Sequence, residues 1–247
     1  MCKNGASLDG KVVVVTGAGR GIGRAIAMGY ARAGASVCCA ARTRAEIVAV
    51  AEKIRRQSGC AIAVQTDVTA LASVRRMLRA TIKAFGRLDI LVLCAGGNLD
   101  PRTVGNSSPT DWRSTIELNL LGAYHCMKEA IPHLKRSGGG NIISVGSGLG
   151  HKGWPGRSAY SCSKAGLWML TRILAMELRE DGINVNELIP GPVKTSLDAH
   201  VSVETYPQLE GEWIKEPEDV VPLALFLAAQ GPMGPTAQSF SLMRRNA

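Results

Sequence analysis

Tyr160 and Lys164 stand four residues apart in the stretch Ser158-Ala159-Tyr160-Ser161-Cys162-Ser163-Lys164-Ala165-Gly166. On a helix that spacing puts both side chains on one face, one turn apart. An ammonium beside a phenol favours the phenolate and lowers the phenol pKa from its usual value of about 10. Such a pair can move a proton near neutral pH, which a lone tyrosine does poorly. A Tyr on a helix face is more often simply packed, so the pair gains meaning only from what accompanies it. The segment beyond it reads as helix, with Leu167, Leu170, Leu174 and Leu178 at spacings of three and four and Asp181-Gly182 as the stop.

The other residues fit for chemistry lie where strands end. Lys11 to Thr16 is a β-branched run that reads as a buried parallel strand. It passes through Thr16-Gly17-Ala18-Gly19-Arg20-Gly21-Ile22-Gly23 into a helix with Ile22, Ile26, Ala27 and Tyr30 on one face. Strand, glycine-rich turn and helix form the setting in which a helix N-terminus binds a pyrophosphate. The spacing is Thr-Gly-x-x-x-Gly-x-Gly and not G-x-G-x-x-G. A second strand, Ala35 to Ala41, ends in Ala40-Ala41-Arg42, where a carboxylate would bind the ribose 2′-hydroxyl of NAD(H). A guanidinium there suits a phosphate instead, and Arg20 can reach the same group, so NADP(H) is expected over NAD(H). Alternatively, Arg42 merely begins the helix from about Ala45 to Ser58.

A third strand, Ala61 to Thr66, ends at Asp67-Val68, where the carboxylate can accept from an adenine amino group or cap the next helix. A fourth, Leu88 to Leu93, ends in Cys94-Ala95-Gly96-Gly97. Ser108-Pro109 opens a long helix, with a stripe from Trp112 to Leu134 bordered by Asn119. Asn119 is either a satisfied amide or a holder of water. A fifth strand, Asn141 to Ser147, places Ser147 at its C-terminal end, and a sixth, Ile183 to Ile189, leads into Pro190-Gly191-Pro192-Val193-Lys194-Thr195. Residues 196–215 are expected to form a substrate lid, Pro217 to open a last helix through Ala228, and Gln238 to Leu242 to form a short final strand. Strands alternating with helices predict an α/β chain. The expected architecture is a three-layer Rossmann-type fold with a seven-stranded, mostly parallel sheet, helices on both faces and one domain over 1–247.

These segments together resemble the short-chain dehydrogenase/reductase family, in its short NADP(H)-preferring branch, from about Leu8 to Ser241. The resemblance lies in the ordered set Thr16 to Gly23, Asp67, Ala95-Gly96, Asn119, Ser147, Tyr160, Lys164 and Pro190-Gly191, with Ser147 thirteen residues before Tyr160. It implies that Tyr160 is the general acid in ketone reduction and that Lys164 lowers its pKa and binds the nicotinamide ribose. It implies that Ser147 bonds the carbonyl oxygen and that Asn119 holds a water in a proton relay. It implies a cofactor surface of Gly17, Arg20, Gly21, Ile22, Gly23, Arg42, Asp67, Val68, Ala95, Gly96, Pro190, Gly191, Val193 and Thr195, joined by Tyr160 and Lys164. By family frequency the substrate is a 3-oxoacyl thioester; a sugar, polyol or steroid is the alternative, and a cofactor-binding sensor or scaffold the reading from another class. Family habit also implies a homotetramer, or else a homodimer. Three departures stand out: Cys94 where the family usually has Asn, an atypical C-terminal end, and Glu187 in the sixth strand, where small or apolar residues are common.

The chain has 247 residues, 46% hydrophobic and 20% charged, which suits a globular cytoplasmic protein. No apolar run is long enough to span a membrane, and Met1 to Gly5 lacks the apolar core of a signal peptide. Seven cysteines without Cys-x-x-Cys or ligand-spaced His read as reduced thiols, with no metal site. The net charge of +9 is spread in pairs such as Arg55-Arg56 and Arg75-Arg76 and argues against a nucleic-acid tract. His151, Trp154, Tyr206 and Trp213 are candidates for the pocket lining.

Overall fold

The computed structural model describes residues 7–195 and 212–243. The elements run β1 (Val12–Thr16), α1 (Gly21–Arg32), β2 (Ser36–Ala41), α2 (Arg44–Arg56), β3 (Cys60–Gln65), α3 (Leu71–Phe85) and β4 (Ile90–Leu93). They continue as α4 (Pro109–Ile116), α5 (Gly122–Arg136), β5 (Gly140–Val145), α6 (Ser158–Glu177), β6 (Ile183–Ile189), α7 (Val221–Ala228) and β7 (Ser239–Ser241). The seven strands form one sheet in the order β3-β2-β1-β4-β5-β6-β7. Every pairing is parallel, so the expected "mostly parallel" sheet is parallel throughout.

A strand covered on both faces cannot alternate apolar with polar, and β1 is accordingly four valines and a threonine, all buried. Val13 and Val15 join a core with Ile26, Tyr30, Ile47 and Ala224, so α1, α2 and α7 cover one face. Val14 joins the other core with Met77, Met127 and Leu167, placing α3, α5 and α6 on the opposite face. The Tyr30 hydroxyl donates to the Ala224 carbonyl at 2.7 Å and ties α1 to α7. The chain leaves β1 toward β3 and later returns on its other side as β4. Adjacent crossovers therefore diverge between β1 and β4, opening a crevice at the strands' C-terminal ends.

Several boundaries differ from expectation. Strand ends move by one or two residues, and Ser147 lies past the end of β5, where it accepts from Leu149 N at 3.2 Å. The long helix after Ser108 is interrupted: residues Glu117–Leu121 form a π turn between α4 and α5, with buried Asn119 inside it. An extra residue in one turn is a frequent mark of a functional position. The segment from Pro217 begins as a 3₁₀ turn before α7. Of the expected lid, 196–211 lies outside the described residues, whereas Lys215 is buried and bridges to Val193. No helix among the described residues is long and apolar enough to cross a membrane.

Candidate active site

One cleft opens at the C-terminal ends of β4, β5 and β6. Its lining includes Gly96, Ser147, Tyr160, Lys164, Pro190, Gly191, Val193 and Thr195, all named from sequence. Residues from separate segments of the chain therefore meet at one place, outside the sheet edge where parallel topology puts ligands.

Lys164 is the pivot of that cleft. It is 5% exposed, its ammonium donates to the Val145 carbonyl at 2.7 Å, and its nitrogen lies 5.8 Å from the Tyr160 ring centroid. Burial pulls its pKa down from 10.5 to about 8, while the charges of Cys94 and Glu187 pull the other way. An ammonium has three donors, so two remain after Val145 for a phenol or a ribose hydroxyl. Tyr160 is half-buried on the same helix face, as the four-residue spacing requires. Small residues make room for this arrangement: a Cβ at Gly150 would come within 2.9 Å of the Lys164 backbone.

Asn119 is fully committed as a donor. Its Nδ2 donates to the Gly97 carbonyl at 2.8 Å and to Ser163 Oγ at 2.9 Å, and its Oδ1 accepts from Gly97 N at 2.8 Å. Asn119 thus pins the turn after β4 to α6, and its carboxamide has only acceptor capacity left for a water. Thr16 supports the same turn from the other side. Its hydroxyl donates to Val92 O and accepts from Cys94 N and Ala95 N at 3.1 Å each. The backbone support that Cys94 placed in question is supplied there by Thr16. Burial pushes the Cys94 thiol up to about 11, so it stays protonated at neutral pH.

The glycine turn is shaped to hold a pyrophosphate. Gly17 and Gly21 have φ of 67° and 53°, a region that favours glycine, and a Cβ at Gly23 would collide with the Gly17 carbonyl. The α1 N-terminus has no side-chain cap, which leaves its first N–H groups open toward the cleft, where Ile22 lies. Arg20 and Arg42 are both exposed near this end. Glu46, which was not anticipated from sequence, lies with its carboxylate against Gly19. Asp67 takes part in a turn, accepting from Thr69 N and Oγ1 at 3.0 and 2.8 Å, and the following Val68 is buried against Gly122. Asp67 does not cap the helix that follows, whose N-cap is Ala70 and has no side-chain cap bond, so the capping alternative is not realised.

The pocket wall differs from expectation. Trp154 lines it, but His151 turns away to Glu187, Trp213 is half-exposed beside Lys215, and Tyr206 lies outside the described residues. Asn98, Leu149, Arg157 and Met243 line it as well and carried no periodic signal. Met243 arrives from the chain's end, with its sulfur against Gly148.

The geometry agrees with what the chain resembles among known proteins. Residues 11–205 match the short chain dehydrogenase family. An NADPH-dependent aldehyde reductase-like chloroplastic protein of Arabidopsis thaliana is 37% identical over 242 residues, covering 91% of this chain and 89% of the relative. A 3-oxoacyl-[acyl-carrier-protein] reductase of Synechocystis is 34% identical over 224 residues, covering 90% of each. Among solved structures, a 7α-hydroxysteroid dehydrogenase in complex with NADH and 7-oxo glycochenodeoxycholic acid is similar with a TM-score of 0.89. It is 30% identical, and the match covers 96% of this chain and 94% of that one.

Proposed function

The chain belongs to the short-chain dehydrogenase/reductase family of NAD(P)-dependent oxidoreductases, and we propose that it moves a hydride between NADP(H) and a ketone or secondary alcohol, with a 3-oxoacyl thioester as the first substrate to test. One observation carries this reading: Ser147, Tyr160 and Lys164 line the same cleft, with the Lys164 ammonium buried beneath the Tyr160 ring. When bound, the nicotinamide supplies or takes up the hydride. The protein's residues do the rest. The Tyr160 phenol gives its proton to the substrate oxygen in reduction and takes it back in oxidation. The Ser147 hydroxyl donates to the same oxygen as charge develops there. The Lys164 ammonium stabilises the phenolate left behind. Asn119 holds the Gly97 turn against α6, so the cleft floor keeps its shape. Following NADPH oxidation against 3-oxoacyl thioesters, aldehydes, sugars and steroids tests the reading; no turnover with any class would overturn it.

The NADP(H) preference rests on Arg42 just after β2, with Arg20 in the glycine turn and no carboxylate at the end of β2. The Glu46 carboxylate near Gly19 opposes a 2′-phosphate, so the two guanidinium groups must outweigh it. Replacing Arg42 with Ala is expected to raise the KM for NADPH about tenfold, the loss of one charge-assisted bond, and to leave that for NADH nearly unchanged. Steady-state kinetics with both nucleotides reads the outcome. An equal effect on both would place Arg42 away from the phosphate.

The homotetramer that family habit implies, with a homodimer as the alternative, is part of this proposal, and exposed apolar side chains favour self-association. Leu121 and Tyr124, in the π turn and α5, and Met169, Ile173 and Met176 on α6 are all exposed, and Met176 is 69% exposed. Spacings of three and four put the last three on one stripe, the pattern of a helix awaiting a partner. Sedimentation of the native chain is expected to give a tetramer, and Ile173→Glu to give smaller species. A monomeric native chain would refute the assembly.

A further inference from the structure

We propose that Glu187, buried in β6, is a positioning residue for the reaction: its carboxylate clamps the loop after Ser147 and the C-terminal strand together, and so fixes two walls of the substrate pocket. This rests on the active-site reading above. Glu187 is 1% exposed. Its Oε2 accepts from Ser239 Oγ at 2.6 Å and lies 2.9 Å from His151 Nε2. Its Oε1 has no hydrogen-bond partner among the described residues and packs against Gly146, where any Cβ would collide with it. A buried carboxylate is costly unless paired. β6 also buries Asn184 and Asn186, both hydrogen-bonded to backbone carbonyls, but Glu187 is the charge it buries, and it is kept against that penalty. The two donors it recruits come from different segments, and each segment carries pocket wall.

On one side, His151 belongs to the loop between β5 and α6. That loop begins at Ser147 and contributes Leu149 and Trp154 to the cleft. The His151 ring also packs edge-on to Trp168 of α6, with centroids 5.0 Å apart. On the other side, Ser239 begins β7 in register with Glu187. Four residues later Met243 lies against Gly148 and Gly191 and closes the cleft. One carboxylate oxygen therefore joins the Ser147 loop to the chain's end. Its charge also reaches Lys164 and helps keep that ammonium protonated against its burial. A glutamine in the same place cannot do this. Either its amide nitrogen faces two donors, or its single oxygen accepts both without a charge while the amide lies unpaired over Gly146.

The test compares Glu187→Gln, His151→Phe, which keeps a ring against Trp168, and the double variant. Two readouts are taken on the full chain: amide exchange by segment, and kcat and KM for carbonyl and NADPH across pH. The clamp predicts that Glu187→Gln speeds exchange about tenfold in both 148–157 and 239–243, the loss of one charge-assisted bond, while β1 stays protected. It predicts a rise of at least about tenfold in carbonyl KM with NADPH KM unchanged, and a shift of the alkaline limb of kcat to lower pH. It also predicts a double variant no worse than Glu187→Gln alone, because the two residues act through one bond. Unchanged exchange in those segments would overturn the clamp. So would a fall in stability with both KM values intact, or strictly additive losses. If no carbonyl is turned over, the active-site reading fails on its own and the exchange pattern still decides whether the clamp exists. If Glu187→Gln does not fold, His151→Phe must loosen 148–157 alone, and its failure to do so refutes the clamp.

Discussion

Tyr160→Phe is expected to lower kcat by about 10²–10⁴-fold, the usual contribution of a positioned acid, while changing NADPH affinity by less than about tenfold. The substitution removes one oxygen and keeps the ring that lies 5.8 Å from the Lys164 nitrogen. Tyr160 is half-buried, so the change opens no large cavity and leaves the core beneath α6 intact. On the proposed reading, cofactor binding rests on the glycine turn, the α1 N-terminus and Lys164, and a phenylalanine leaves those three in place. Rapid-mixing absorbance for turnover and fluorescence titration for NADPH separate the two quantities. Retention of more than about a tenth of the turnover would show that another group delivers the proton, and Ser147 also lines the cleft.

That Tyr160 and Lys164 share one helix face could be read from sequence because their spacing and their host element make the same demand. A helix from Ser158 is favoured by small residues and by the leucine recurrence, and that helix forces Tyr160 and Lys164 onto one face. The parallel sheet was legible for a similar reason, since unbroken valine in β1 has no other comfortable setting than a strand covered on both faces. Asn119 was visible as a polar residue bordering an apolar stripe. Its π turn was not, because one extra residue leaves the stripe nearly in phase. The pocket wall was the least legible part. His151, Trp154 and Trp213 are alike in composition terms, yet only Trp154 faces the cleft, and which of them does so depends on contacts across the fold. His151 is drawn away by Glu187, thirty-six residues distant in sequence, and Met243 enters from the chain's end. The one warning in the sequence was Glu187 itself, a charge in a strand where burial on both faces should forbid one.

Lys164→Met is expected to abolish turnover and to stabilise the protein, a combination that a merely structural lysine would not give. The ammonium is buried, and its pKa falls from 10.5 to about 8, so the folded state holds the charge less readily than the unfolded chain does. The sign follows from proton counting. Below about pH 8 both states are charged and the folded state bears the full penalty. Between about 8 and 10.5 the unfolded chain binds more protons, so wild-type stability climbs with pH across that window. At neutral pH the penalty is about 3 kcal/mol, because each tenfold loss of proton affinity is worth roughly 1.4 kcal/mol. Methionine fills similar space without charge and forfeits the bond to Val145, which offsets about 1 kcal/mol. The net gain of about 2 kcal/mol corresponds to a melting temperature about 4–8 °C higher for a chain of this length. Turnover should fall by about 10³-fold, since the phenolate of Tyr160 loses the positive charge that stabilises it. In the native enzyme the same ammonium is lost as pH rises through about 8, so reduction should decline on that alkaline side. Calorimetry at about pH 7 and about pH 9 with parallel kinetics decides the matter. A variant that is less stable at neutral pH would show that the bonds of the ammonium outweigh its burial. A variant that still turns over within about tenfold of the native rate would remove Lys164 from the proton transfer.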